Sequence, residues 1–223
     1  MKKTSYSYVG ISLIVLVFGI IFIPKIVDRI TSDDVTREGS RSRNVSKKIT
    51  DNTKLAFLTI NGQPKKVPDF TFINQDGNTI SNKDYDGKVY LVEFFFTTCP
   101  TICPKMSSNL VQIQDYFKGM EGFGVASITI NPKIDTPEVL KRYATNYGIT
   151  NPNWHLLTGS QDIIYELANQ GFNLYTAEEE EVDGGFEHSG NFALVDKNGF
   201  LRSRLVNGNP IIYYNGIISE KQQ

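Results

Sequence analysis

The stretch Lys88-Val89-Tyr90-Leu91-Val92-Glu93-Phe94-Phe95-Phe96-Thr97-Thr98-Cys99-Pro100-Thr101-Ile102-Cys103-Pro104 decides the fold. Residues 88–96 form a near-continuous apolar run, the pattern of a strand covered on both faces of a sheet. From about Pro104 the apolar spacing changes. Met106, Leu110, Ile113 and Phe117 follow by four, three and four, so they share one face of a helix. Cys99 and Cys103, the only cysteines in the chain, stand where the buried strand ends and the helix begins.

Outward from this junction, the same alternation of strand and helix recurs. Residues 67–72 alternate, and Asp76-Gly77 turns the chain back through Thr79-Ile80 as a hairpin. Residues 123–130 predict a second buried strand. Thr136-Pro137-Glu138 opens a helix, with Thr as cap and Pro in the first turn. A third strand is expected at 154–157 and a third helix at 161–169. Residues 191–196 and 200–206 alternate around Lys197-Asn198-Gly199, a closing hairpin. This order predicts an α/β sheet with helices on its faces. Residues 207–223 carry no decisive pattern.

The N-terminus is different. Between Lys3 and Lys25 lie 21 residues without a charge, which as a helix cover roughly 30 Å, enough to cross a bilayer core. Lys2 and Lys3 precede the run. Ile23-Pro24-Lys25-Ile26 offers no small-x-small cleavage site, so an uncleaved signal anchor is expected. The expected division is a transmembrane anchor at 1–25, a polar stalk at 26–66 with a short strand near 55–60, and the globular domain at 67–223. A single pass with the C-terminal domain outside the cytoplasm (periplasmic in a bacterium) is the expected topology. With 23 basic and 24 acidic residues and a net charge of −1, nothing favours nucleic acid as a partner.

The chemistry gathers at the strand–helix junction, where α/β sheets bind ligands. Helix N-termini lower thiol pKa values, and residues four apart at a helix start share one face. Both sulfurs are therefore expected to point at one atom. Two soft thiolates with one imidazole suit copper. A structural zinc site takes four protein ligands and would need both histidines of the chain. His155, in Asn153-Trp154-His155-Leu156-Leu157, reads as a surface or half-buried strand residue rather than a ligand. His188 follows a Gly-rich, acidic stretch, and residues 177–190 are expected to form a loop that orders when the imidazole reaches the cysteines. The four consecutive Glu at 178–181 read as a solvated segment. The blander reading of the cysteines is a core pair or a static disulfide.

The run from Phe96 to Pro104 closely resembles the FxxCPxxCP-type motif of the Sco/SenC family of cytochrome oxidase assembly proteins. Residues 127–137, with Asn131-Pro132-Lys133-Ile134-Asp135-Thr136-Pro137, resemble that family's stretch after the second strand, and Thr158-Gly159 and Glu187-His188-Ser189 fall in matching order. The resemblance covers about 67–206. It implies a thioredoxin-like fold behind an N-terminal membrane anchor. It also implies Cu(I) or Cu(II) held by Cys99, Cys103 and His188. The implied function is delivery of copper to the dinuclear copper centre of a respiratory cytochrome c oxidase, whose copper-bearing subunit would be the partner. The alternative is a thiol–disulfide oxidoreductase using Cys99 and Cys103 on the acceptor's cysteines. Peroxidase-like chemistry fits less well, since no Arg or Lys adjoins Cys99. Two positions depart from the family: Asn131 and Glu187 stand where Asp is usual. Asp135 reads equally as a helix-start residue and as part of the site.

Overall fold

A computed structural model of the chain describes residues 12, 16–24, 55–179, 181–206, 209–211 and 213–218. The chain divides into two compact units, Met1–Lys48 and Ile49–Gln223. In the first, residues 16–24 are helical. Among the described residues no helix is long and apolar enough to cross a membrane. The remainder of the expected span at 1–25, and of the stalk as far as residue 54, lies outside the described residues.

In the second unit the strands run, in chain order, Leu55–Phe57 (β1), Thr59–Ile60 (β2), Gln63–Pro64 (β3), Thr71–Asn74 (β4), Thr79–Ser81 (β5), Val89–Phe95 (β6) and Phe123–Thr129 (β7). Then follow Trp154–Thr158 (β8), Thr176–Glu178 (β9), Phe186–His188 (β10), Asn191–Val195 (β11), Leu201–Val206 (β12), Asn209–Ile211 (β13) and Tyr214–Asn215 (β14). The helices are Cys103–Tyr116 (α1), Pro137–Tyr147 (α2) and Gln161–Glu166 (α3), the last running into a π turn at Leu167–Phe172.

The main sheet has the order β1-β12-β11-β6-β7-β8-β4-β5. Its centre, β6-β7-β8, is parallel, and antiparallel strands flank it. Every residue of β7, and every residue of β6 after Val89, is buried, as the apolar run predicts. Alternation along β6 separates its two faces. Phe95 meets Tyr143 of α2 at 5.3 Å, and Leu91 shares a small cavity with Asn109 and Ile113 of α1. On the opposite face Phe94 meets Phe172 of the π turn at 5.8 Å. Helices therefore cover both faces, as expected.

The caps follow the sequence reading. Thr136 caps α2 by accepting the Val139 amide at 3.5 Å, with Pro137 in the first turn. Gly148, at φ +70, ends that helix in the left-handed conformation that glycine takes without a Cβ clash. Three expectations shift. The stalk expected up to residue 66 overlaps the sheet, because β1 pairs with β12 in the register Leu55↔Arg204 to Phe57↔Arg202. The third helix is shorter than expected and gives way to the π turn. Residues 177–190 are not a plain loop: β9 and β10 pair as an antiparallel hairpin of their own, with His188 opposite Thr176.

Candidate metal centre

The first amide of α1 shows how the two sulfurs come together. Its N-cap, Ile102, has no side chain able to accept a hydrogen bond, so the leading N–H groups need another acceptor. The Cys103 amide finds one in the Cys99 Sγ, 3.5 Å away. Ahead of it, the Cys99 amide donates to the Phe96 carbonyl at 3.2 Å, closing a tight turn straight off β6. Pro104 lies in the first helical turn, where a missing N–H costs nothing. Both cysteines are buried and neither is in a disulfide.

His188 arrives from the hairpin. Its Nε2 stands 3.1 Å from the Cys103 Sγ, and its Nδ1 is 3.2 Å from the Ser189 carbonyl oxygen. A carbonyl only accepts, so an Nδ1–H donates to it, and this bond aims Nε2 at the sulfurs. The Phe96 ring meets His188 edge-on at 5.8 Å and Phe186 at 5.2 Å, which seats the hairpin on the end of β6. The hairpin turn is tied by Glu179 N to Gly185 O at 3.0 Å and Gly185 N to Val182 O at 2.9 Å.

One donor atom from each of Cys99, Cys103 and His188 lies within 4.8 Å of the other two, and this is the one such group among the described residues. Ligands about 2.0–2.3 Å from one ion lie roughly 3.5–4 Å apart around a trigonal plane. The donors therefore fit a single soft ion after small adjustments. Two thiolates and a neutral imidazole are the donor set that copper favours.

The electrostatics divide the pair. The Cys103 thiol donates to Cys99, and with His188 and the backbone amides of Cys103 and Thr101 it lowers the Cys99 thiol to about 3. Cys103, the donor in that bond and the more buried of the two, is pushed up. The acidity of the pair is thus centred on Cys99, with Cys103 as the donor beside it. A cavity of about 430 Å3 opens beside Cys99, lined by Phe96, Ile102 and Phe186 with Glu181, Asp183 and Glu187 among its carboxylates.

The other sequence candidates fall on either side of this centre. His155 is half-buried in β8, with Nδ1 3.3 Å from the Asn74 side-chain Nδ2, and does not join the cluster. Glu187 is exposed and faces Ala177 in the hairpin register. Asn131 is buried, its amide donating to Thr129 Oγ1 at 3.0 Å. Asp135 is wholly buried and accepts from the Thr97 amide at 3.1 Å and from the hydroxyls of Thr97 and Thr129.

Sequence reasoning missed Glu93. It is buried in β6, its Oε1 accepts from Ser127 Oγ at 2.6 Å, and its Oε2 has no partner among the described residues. Burial raises its carboxyl to about 7, against the Ser127 hydrogen bond and the nearby His188. The signal was present as the single acid within an otherwise apolar strand.

A sequence model of the SCO1/SenC family matches residues 59–218. The SCO1 protein homolog of Bacillus subtilis is 36% identical over 157 residues, 70% of this chain and 80% of that protein. A solved structure of BsSco, a member of the Sco family of cytochrome c oxidase assembly proteins with an identified disulfide switch, is 34% identical at TM-score 0.58. It covers 69% of this chain and 84% of that one. Yeast Sco1 with copper bound is 27% identical at TM-score 0.53, over 66% of this chain and 82% of that one. The thioredoxin-like fold implied by the motifs is the fold these structures share with it.

Proposed function

The chain belongs to the SCO1/SenC family, and we propose that it is a membrane-tethered protein that binds copper and delivers it to the dinuclear copper centre of a respiratory cytochrome c oxidase. One observation carries this reading: the convergence of Cys99, Cys103 and His188 within 4.8 Å. Copper bound in yeast Sco1, and the place of BsSco among oxidase assembly proteins, support it. Copper here is cargo. The Cys99 thiolate at the open cavity receives it first, Cys103 joins on losing its proton, and His188 closes the set. Release runs in reverse, with an incoming thiolate displacing the imidazole on its short hairpin.

In the same reading residues 1–25 anchor the chain and residues 67–223 lie outside the cytoplasm. The uncharged run between Lys3 and Lys25 supports this. A reporter fused after Gln223 should be active only in an extracytoplasmic assay, and cytoplasmic activity alone overturns the topology.

The delivery reading is tested by loading the reduced full chain in detergent with Cu(I). The loaded chain is then mixed with the copper-free copper-bearing domain of an oxidase. One copper per chain should bind and then move to the acceptor. Copper that stays on the chain defeats the reading. The depressed Cys99 thiol favours a second role, as thiol–disulfide oxidoreductase. His188→Ala separates the two: it should stop copper delivery and leave reduction of an acceptor disulfide intact.

A further inference from the structure

We propose that Asp135 is a positioning residue of the metal centre, fixing through Thr97 the turn that presents Cys99. This rests on the copper reading above and adds to it a residue that touches no metal ligand. Asp135 stands directly before the helix cap Thr136, where an acidic residue ordinarily serves its own helix. Its side chain does something else. Among the described residues, every hydrogen bond it accepts comes from Thr97 or Thr129, and none from α2.

The proton directions make this a clamp. Thr129 Oγ1 accepts the Asn131 amide at 3.0 Å, so its own proton goes to Asp135 Oδ2. The same oxygen accepts the Thr97 amide at 3.1 Å, while Oδ1 accepts the Thr97 hydroxyl. The Asp135 amide in turn donates to the Asn131 carbonyl at 3.0 Å. One buried carboxylate therefore joins the turn leaving β6 to the end of β7. Thr97 lies inside the turn that the Cys99 amide closes on Phe96, and Cys99 Sγ then accepts the first amide of α1. With Thr97 held at both its amide and its hydroxyl, the turn has one way to aim the sulfur. Asparagine at 135 keeps the shape but places an NH2 group among donors. A buried donor facing donors disrupts such a network.

Supporting partners of this kind are worth 10–100-fold in metal affinity. The test uses the full chain in detergent, with Cu(I) affinity measured by chelator competition. The rate of Cys99 alkylation by iodoacetamide in metal-free protein and the thermal midpoint are measured alongside. Asp135→Asn and Thr97→Val should weaken Cu(I) about 10–100-fold with stoichiometry kept, and should change the alkylation rate several-fold. Thr97→Ser, which keeps both donors, should restore wild-type values. Leu156→Ala, a buried substitution in β8, should lower the midpoint and leave affinity and alkylation unmoved. The proposal is overturned if Asp135→Asn and Thr97→Val behave like Leu156→Ala, or if Thr97→Ser is no better than Thr97→Val. If the wild-type chain binds no copper, the function above falls, while the alkylation rates still decide the role of Asp135.

Discussion

The cysteine turn and the histidine hairpin meet at one point but are built in opposite ways. The turn comes straight off the central strand β6, is tied from below by Asp135 and from ahead by the first amide of α1. Among the described residues the hairpin pairs with no strand of the main sheet; it presents exposed acids at its tip and rests on the Phe96 ring. The difference assigns roles. In the proposed centre the two sulfurs form a cradle set by the core, and the imidazole is an arm whose position depends on a small contact patch.

The largest test of this asymmetry removes one donor at a time. Cys99→Ala should weaken Cu(I) by at least about a thousandfold, roughly 4 kcal/mol, measured by chelator competition. His188→Ala should keep one weaker copper with an altered spectrum. Equal losses would erase the distinction between cradle and arm.

Next in size is a pH effect centred on the rigid side. Folded Glu93 keeps its proton up to about pH 7, whereas the unfolded carboxyl releases it near 4.5, so folding takes up a proton in between. The stability it contributes is full below pH 4.5 and is lost as pH rises through 7, by about 3 kcal/mol. Denaturant midpoints of the wild type should fall across this window, and Glu93→Gln should flatten the fall. His188, Cys103 and Tyr143 lie within electrostatic reach of this carboxyl, so the profile should be measured on metal-free, reduced protein.

A smaller effect probes the arm. Gly184 has φ +93, and a Cβ there would meet the Phe96 ring at 3.0 Å and Pro100 Cδ at 3.1 Å. Gly184→Ala should cost about 1–3 kcal/mol locally. It should also weaken copper in the presence of His188 but not in the His188→Ala background, which a double-mutant cycle reads. The smallest effect is none at all: His155→Ala should leave copper stoichiometry and spectrum unchanged. Loss of copper there would bring back a four-ligand site.

The cradle was legible in the sequence and the arm only partly so. A nine-residue run followed by two cysteines four apart leaves few alternatives to a buried strand feeding a helix, and β6 and α1 fall where the spacing places them. Strands β9 and β10 are three residues each, too short for alternation to show, and the acids and glycines between them have the composition of a loop. For His188 the signals are its place in a Gly-rich, acidic stretch directly before a strand and a family resemblance, not any periodicity. Glu93 was hidden by its neighbours, since an apolar run is read by its average. Asp135 was undecided because local position favours a helix start, and only the distant partners Thr97 and Thr129 show otherwise.

The pairing of β9 with β10 also bears on which metal the site accepts. Phe186 and His188 lie on one side of their strand and Glu187 on the other. A slip of a single residue in this short ladder would turn the imidazole to solvent and bring a carboxylate over the sulfurs. The centre would then exchange a borderline nitrogen for a hard oxygen, a change that favours other cations over a soft one. Under the proposed copper function, discrimination between metals would depend on strand alignment, which the ring seat on Phe96 and the tight turn at Gly184 and Gly185 hold without touching the ion.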